Sequence, residues 1–90
     1  MYSLHYTHQF NKDVKKAKKR NKDFNKFKVI ARMLVSGQTL DNKYKDHVLI
    51  GNYVGQRECH IEPDWLLIYK IEGQDLIFER MGTHSDLFKK

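Results

Sequence analysis

The chain has 90 residues and a formal net charge of +6, with 40% hydrophobic and 31% charged residues. That length suits a single domain spanning 1–90 and leaves no room for a second. Five Phe, five Tyr and one Trp support a modest core and exclude a disordered chain, while the surplus of Lys and Arg points to a polyanionic partner, either nucleic acid or an acidic protein segment.

Leu4 to Phe10 alternates and is rich in aromatic residues, which predicts a strand with Leu4, Tyr6, His8 and Phe10 on one side. Asn11 then supplies an N-cap, and Phe10, Val14 and Ala17 recur at helical spacing until Asn21-Lys22-Asp23 breaks the helix. A second helix is expected from about Phe24 to Val35, with Asp23 available to cap it and Phe24, Phe27, Ile30, Ala31 and Leu34 on its apolar stripe. Ser36-Gly37 stops it, glycine tolerating a left-handed cap. The pair reads as an antiparallel hairpin, apolar inside and basic outside. Ten of the seventeen Lys and Arg fall between Asn11 and Arg32, against Asp13 and Asp23 alone.

Gln38 to Tyr53 reads as a polar loop with Gly51-Asn52 as turn residues. Three strands follow: Gly55 to Ile61, Trp65 to Ile71 after a turn at Glu62-Pro63-Asp64, and Leu76 to Arg80 after the hairpin loop Glu72-Gly73-Gln74-Asp75. The tail, Ser85 to Lys90, predicts a short helical turn ending in two free lysines. The fold class is α+β: an N-terminal strand, a two-helix hairpin and an antiparallel three-strand meander, with the helices on one face and the other face open. Cys59 has no partner for an internal disulfide and reads as a packed thiol. No basic, then apolar, leader opens the chain. No apolar run approaches the ~20 residues that cross a bilayer, so the expected location is cytoplasmic, without membrane association.

His47, His60, Asp64, Arg80 and His84 gather in the second half. Histidine takes and gives protons near neutral pH, its ordinary pKa being roughly 6.5. A base, an acid and a fixed positive charge are what cleaving an RNA phosphodiester without a metal requires. Singly, each residue has a plainer reading. His47 can be a solvated loop side chain, His60 a packed one, and Asp64 a turn residue bonding its own backbone. Arg80 can pair with Glu79 or Glu62, and Trp65 and Phe88 can be core. Pro63 between His60 and Asp64 keeps those two from sharing a helical face as zinc-binding pairs do. No nucleophile elbow or glycine-rich phosphate loop is present either. The expectation is neither metal nor cofactor.

The runs Gln9-Phe10-Asn11-Lys12-Asp13-Val14-Lys15, Tyr44-Lys45-Asp46-His47, Arg57 through Lys70 and Phe78 through His84 carry a resemblance over nearly the whole chain. His-x-x-Pro-Asp-Trp at His60 to Trp65 is followed fifteen residues after the tryptophan by Arg-x-Gly-Thr-His at Arg80 to His84. In these motifs the chain resembles the YafQ family, bacterial toxins of type II toxin–antitoxin modules within the RelE/ParE superfamily. The resemblance implies a RelE-like fold and a ribosome-dependent endoribonuclease, an mRNA interferase that cuts messenger RNA in the A site and inhibits translation. It carries the family's active-site residues onto His47, His60, Asp64, Arg80 and His84, with Trp65 and Phe88 as shaping or stacking side chains in contact with substrate.

In that chemistry the 2′-hydroxyl attacks its own phosphate. His47, His60 and Asp64 are the candidates for base, His84 protonates the departing 5′-oxygen, and Arg80 sits against the phosphate. Lys15, Lys16, Lys18, Lys19, Arg20, Lys22 and Lys26 would face ribosomal RNA. The implied partners are a cognate DinJ/RelB-like antitoxin, the ribosome and mRNA, with operator DNA reached only through the antitoxin complex. Val48 stands where relatives often place a proline, implying a looser loop at His47. The rival reading is a non-catalytic ParE-like toxin or an RNA-binding module.

Overall fold

The computed structural model describes residues 1–88; the two terminal lysines lie outside the described residues. Its elements are β1 (Ser3–Tyr6), α1 (His8–Lys19), α2 (Phe24–Val35), a 3-10 turn (Asn42–Tyr44), β2 (His47–Val48), a second 3-10 turn (Gly51–Tyr53), β3 (Arg57–Glu62), β4 (Trp65–Glu72), β5 (Asp75–Gly82) and α3 (His84–Leu87). One five-stranded sheet runs in the order β1-β5-β4-β3-β2, with β1 parallel to β5 and every other pair antiparallel. The α+β class holds. The three-strand meander is the centre of a larger sheet, because β1 returns beside β5 and His47–Val48 adds a strand within the expected loop.

The first helix starts earlier than Asn11. Thr7 is its N-cap, its hydroxyl accepting from the Phe10 N–H at 2.9 Å while donating to the Glu79 carbonyl at 2.8 Å. One side chain thus satisfies an orphan helix donor and fastens the helix start to β5. Phe10 and His8 are therefore helical, and Phe10 stacks on Tyr6 of the strand with ring centroids 5.5 Å apart. The second helix has the expected limits. Asp23 caps Asn25, and Gly37, at φ 78°, closes the end while the Gly37 and Gln38 N–H groups donate to Leu34 and Met33.

The main core lies between the helices and one face of the sheet: Phe10, Ala17, Ile30 and Leu34 meet Cys59, Ile61, Trp65, Leu67, Tyr69, Leu76, Phe78 and Met81. The other face, expected to be open, is partly covered. Leu66 and Ile68 pack there against Leu87 of α3, with Leu49, Tyr53 and Phe88 at the margin. Cys59 is fully buried, and burial pushes its thiol pKa up.

Candidate active site

Side chains directly opposite on neighbouring strands share a face of the sheet. The register pairs His47 with Glu58, Glu58 with Ile68, and Ile68 with Arg80, so these four form one row across the face away from α1 and α2. The adjoining row is His60, Leu66 and Gly82, and His84 follows immediately after that strand. All five sequence-predicted polar residues thus border one patch, with the neighbouring strands spaced by roughly 4.8 Å.

His84 is held most firmly. Asp64, in the tight Pro63-Asp64 turn between β3 and β4, accepts from both the His84 backbone N–H at 2.8 Å and the ring Nδ1 at 2.6 Å. A carboxylate only accepts, so a ring proton is on Nδ1, and Nε2 has no hydrogen-bond partner among the described residues. The same backbone N–H, then the imidazole, hold Asp64 below the ordinary carboxylate range. Its two hydrogen bonds to His84 make Asp64 an orienting group. Beneath it, α3 is fixed by a reciprocal cap between Thr83 and Asp86. Asp86 in turn takes hydrogen bonds from Arg20 at 2.7 Å and Lys16 at 3.0 Å.

The other two imidazoles share a carboxylate that sequence reading passed over. Glu58, only 5% exposed, has its Oε1 3.4 Å from His47 Nε2 and 3.3 Å from His60 Nε2. Its position opposite His47 depends on β2, which is why a chain reading with a loop there offers no signal for it. His47 Nδ1 donates to the Lys45 carbonyl at 2.6 Å. Asp46 beside it accepts from Tyr69 Oη at 2.8 Å and Arg57 Nε at 3.1 Å. Strand pairing with Glu58 and the anchoring of Asp46 position His47. The rings form a line, with centroids 6.4 Å apart for His47 and His60 and 5.7 Å for His60 and His84.

Arg80 pairs with neither Glu79 nor Glu62. Its Nε and Nη2 donate to Asp13 of α1 at 2.8 and 3.3 Å, and the same carboxylate accepts from the Met81 N–H at 3.0 Å and Gln9 at 3.1 Å. β1 covers β5 only as far as Phe78. Beyond that point Asp13 takes the place of a neighbouring strand. Among the described residues no hydrogen bond from Nη1 is found, and the Tyr53 side chain also acts on the guanidinium.

Residues 2–89 match the family described as "Bacterial toxin of type II toxin-antitoxin system, YafQ". The chain belongs to the YafQ toxin family. The mRNA interferase toxin YafQ of Escherichia coli K12 is 49% identical over 86 residues, covering 94% of both chains. The YafQ subunit in the E. coli DinJ-YafQ complex is 47% identical, with a TM-score of 0.91 over 98% of this chain and 99% of that one. A metal-bound toxin from Helicobacter pylori is 39% identical, with a TM-score of 0.91 over 98% of this chain and 100% of that one. In the present chain, no group of three or more His, Cys, Asp or Glu among the described residues is arranged to hold a metal ion.

Two expectations taken from the YafQ resemblance change in detail. Trp65 is 1% exposed and packs edge-on against Phe24, with centroids 5.5 Å apart. It belongs to the main core and offers no face to a base. Phe88 is half-buried, its ring 6.4 Å from His84 and 5.4 Å from Tyr53, so it lies at the margin of the histidine line. The basic residues divide as well. Lys16 and Arg20 hold Asp86, and Lys22 and Lys26 hold Glu62 at 3.4 and 2.9 Å. Lys15, Lys18 and Lys19 are exposed and make no ion pair among the described residues.

Proposed function

We propose that the protein is the toxin of a type II toxin–antitoxin pair and acts as a ribosome-dependent endoribonuclease that cuts messenger RNA in the A site. Its partner is a cognate antitoxin of the DinJ kind, through which alone it reaches operator DNA. The carrying observation is the pair of carboxylate-backed imidazoles: His84 on Asp64, and His60 on Glu58, with ring centroids 5.7 Å apart. The relative named an mRNA interferase and the DinJ-bound relative support the same reading.

In this mechanism the phosphodiester lies across the exposed edges of the two neighbouring rings. His60 or His47, both next to Glu58, takes the proton from the attacking 2′-hydroxyl. The new O–P bond forms as the bond to the 5′-oxygen breaks, and His84, entering the step with protons on both ring nitrogens, gives that oxygen the one on Nε2. The products are a 2′,3′-cyclic phosphate and a 5′-hydroxyl. Asp64 holds His84 in orientation for this step, a role that its two hydrogen bonds to His84 support over that of base. Arg80 offers Nη1 to the phosphate oxygens as charge grows on them. Lys15, Lys18 and Lys19 remain for docking to ribosomal RNA. Each proton transfer contributes about 10²–10⁴-fold.

Primer extension of a defined mRNA on purified ribosomes tests the proposal. Wild type should cut within the A-site codon, and His84→Gln should reduce single-turnover cleavage at least about 100-fold while still binding antitoxin. A folded, antitoxin-free wild type that leaves the mRNA intact would support the ParE-like or RNA-binding reading instead.

A further inference from the structure

A groove of about 680 Å³ lies between α2 and the turn before β2, and its lining includes both His60 and His84. That volume is within the roughly 300–1,000 Å³ of sites that enclose small ligands. Its apolar surface comes from Ile61, Pro63 and Val29, the last a helix side chain left 46% exposed. Its rim carries Lys26, Lys43 and Lys45. Glu62 neutralises Lys26, whereas Lys43 and Lys45 join none of the ion pairs among the described residues. Tyr44, half-buried against the main core, stands between these two lysines in sequence, with Lys43 Nζ 5.1 Å from its ring centroid.

Lys45 has a second connection to the chemistry. It adopts a left-handed conformation at φ 50°, uncommon for a residue with a side chain, and its carbonyl is the one that accepts from His47 Nδ1. The turn that orients an imidazole therefore also lines the groove.

We propose that this groove holds the single-stranded RNA adjoining the cut, with Tyr44 as the stacking platform for one base and Lys43 and Lys45 on the phosphates. Single strands are bound in this way, by cations tracking the backbone and aromatic rings accepting bases whatever their identity. Two features favour RNA over an acidic peptide. The groove is continuous with the histidine line, and its aromatic and apolar surface lies between cations instead of apart from them. The inference rests on the nuclease reading above, since it is that reading which puts a phosphodiester beside His60 and His84.

The test measures toxin affinity for ribosomes whose A-site codon carries 2′-O-methyl groups and cannot be cut, relative to ribosomes whose mRNA ends before the A site. Wild type should gain affinity from the extended mRNA. Tyr44→Ala should lose about 10-fold of that gain, and Tyr44→Phe should keep it. The pair Lys43→Gln with Lys45→Gln should flatten the logarithmic salt dependence by about 1.4, or 0.7 for each phosphate on a single strand. Thermal melting confirms that each variant is folded, and the lysine pair carries the test if Tyr44→Ala is not.

An mRNA-dependent gain that is absent, or that these substitutions leave unchanged, would overturn the proposal. So would weakened antitoxin binding with an intact mRNA gain, which would assign the groove to the antitoxin. Cleavage of unmodified mRNA by wild type is read in parallel. Cutting without the groove effect defeats this inference alone, and the groove effect without cutting defeats the nuclease reading.

Discussion

Asp13 sits on a helix whose neighbours are mostly lysines, and it is nevertheless 7% exposed with four donors converging on it. It ties the Arg80 fork by two of its donors and closes the part of β5 that β1 does not reach. If Arg80 stabilises the phosphate, Asp13 is the positioning residue behind it. Asp13→Asn should lower single-turnover cleavage by on the order of 10-fold and Arg80→Ala by about 100-fold. The double variant should be little worse than Arg80→Ala alone, because the two act as one unit. Additive losses in that cycle would separate Asp13 from Arg80. A purely structural Asp13 would instead shift the melting temperature and leave the rate at saturating toxin unchanged.

At the scale of elements, a single extra residue decides which way Arg80 points. Tyr69 pairs with Phe78 and Ile68 pairs with Arg80, so Glu79 is a bulge. Strict alternation would put Arg80 on the core face with Leu76 and Phe78; the bulge returns it to the face of the histidines. The strand then ends at Gly82, where an added Cβ would lie 2.9 Å from both Cβ and Oδ2 of Asp86. That distance is too short for any side chain, since Asp86 is held by Thr83, Lys16 and Arg20. Gly82→Ala should therefore break the cap of α3, cost about 1–2 kcal/mol in denaturant unfolding, and reduce cleavage by displacing His84. Unchanged stability together with unchanged activity would show that α3 tolerates the shift.

Charge acts over the whole molecule in two ways that mutation can separate. Lys16 and Arg20 hold α3 to α1, whereas Lys15 and Lys19 make no such bond. Reversing Lys15 and Lys19 to Glu should weaken ribosome association and its salt dependence with little change in melting. Replacing Lys16 and Arg20 should instead lower the melting temperature; equal effects on docking from both pairs would contradict the division. Arg20 hydrogen bonding holds Asp86 well below the ordinary carboxylate range, while Lys26 lowers Glu62 and the His84 N–H lowers Asp64. Groups whose folded pKa is depressed contribute stability above their unfolded pKa, near about 4, and lose it as the pH falls further. The melting temperature should thus drop steeply below about pH 4, and Asp86→Asn should begin lower and fall less. A parallel fall in that variant would assign the acid sensitivity elsewhere.

The sequence by itself determined what is local. Apolar spacing and the Asp23 and Gly37 signals give α2 and its approximate limits, and the alternating runs give β4 and most of β3 and β5, because propensity, capping and pattern act within a few residues. Motif spacing likewise carried the family resemblance. Tertiary structure decided what depends on distant pairing. The return of β1 beside β5, the two residues of β2, the Glu79 bulge, Glu58 between two imidazoles and Asp13 behind Arg80 all join residues far apart along the chain. Their energies come from backbone ladders and from buried charge that needs a partner, and neither leaves a local period to read. The Thr7 cap is local, three residues from Phe10, but the strand-like alternation of Leu4 to Phe10 competes with it, and the bond of the same hydroxyl to a carbonyl 72 residues away is tertiary.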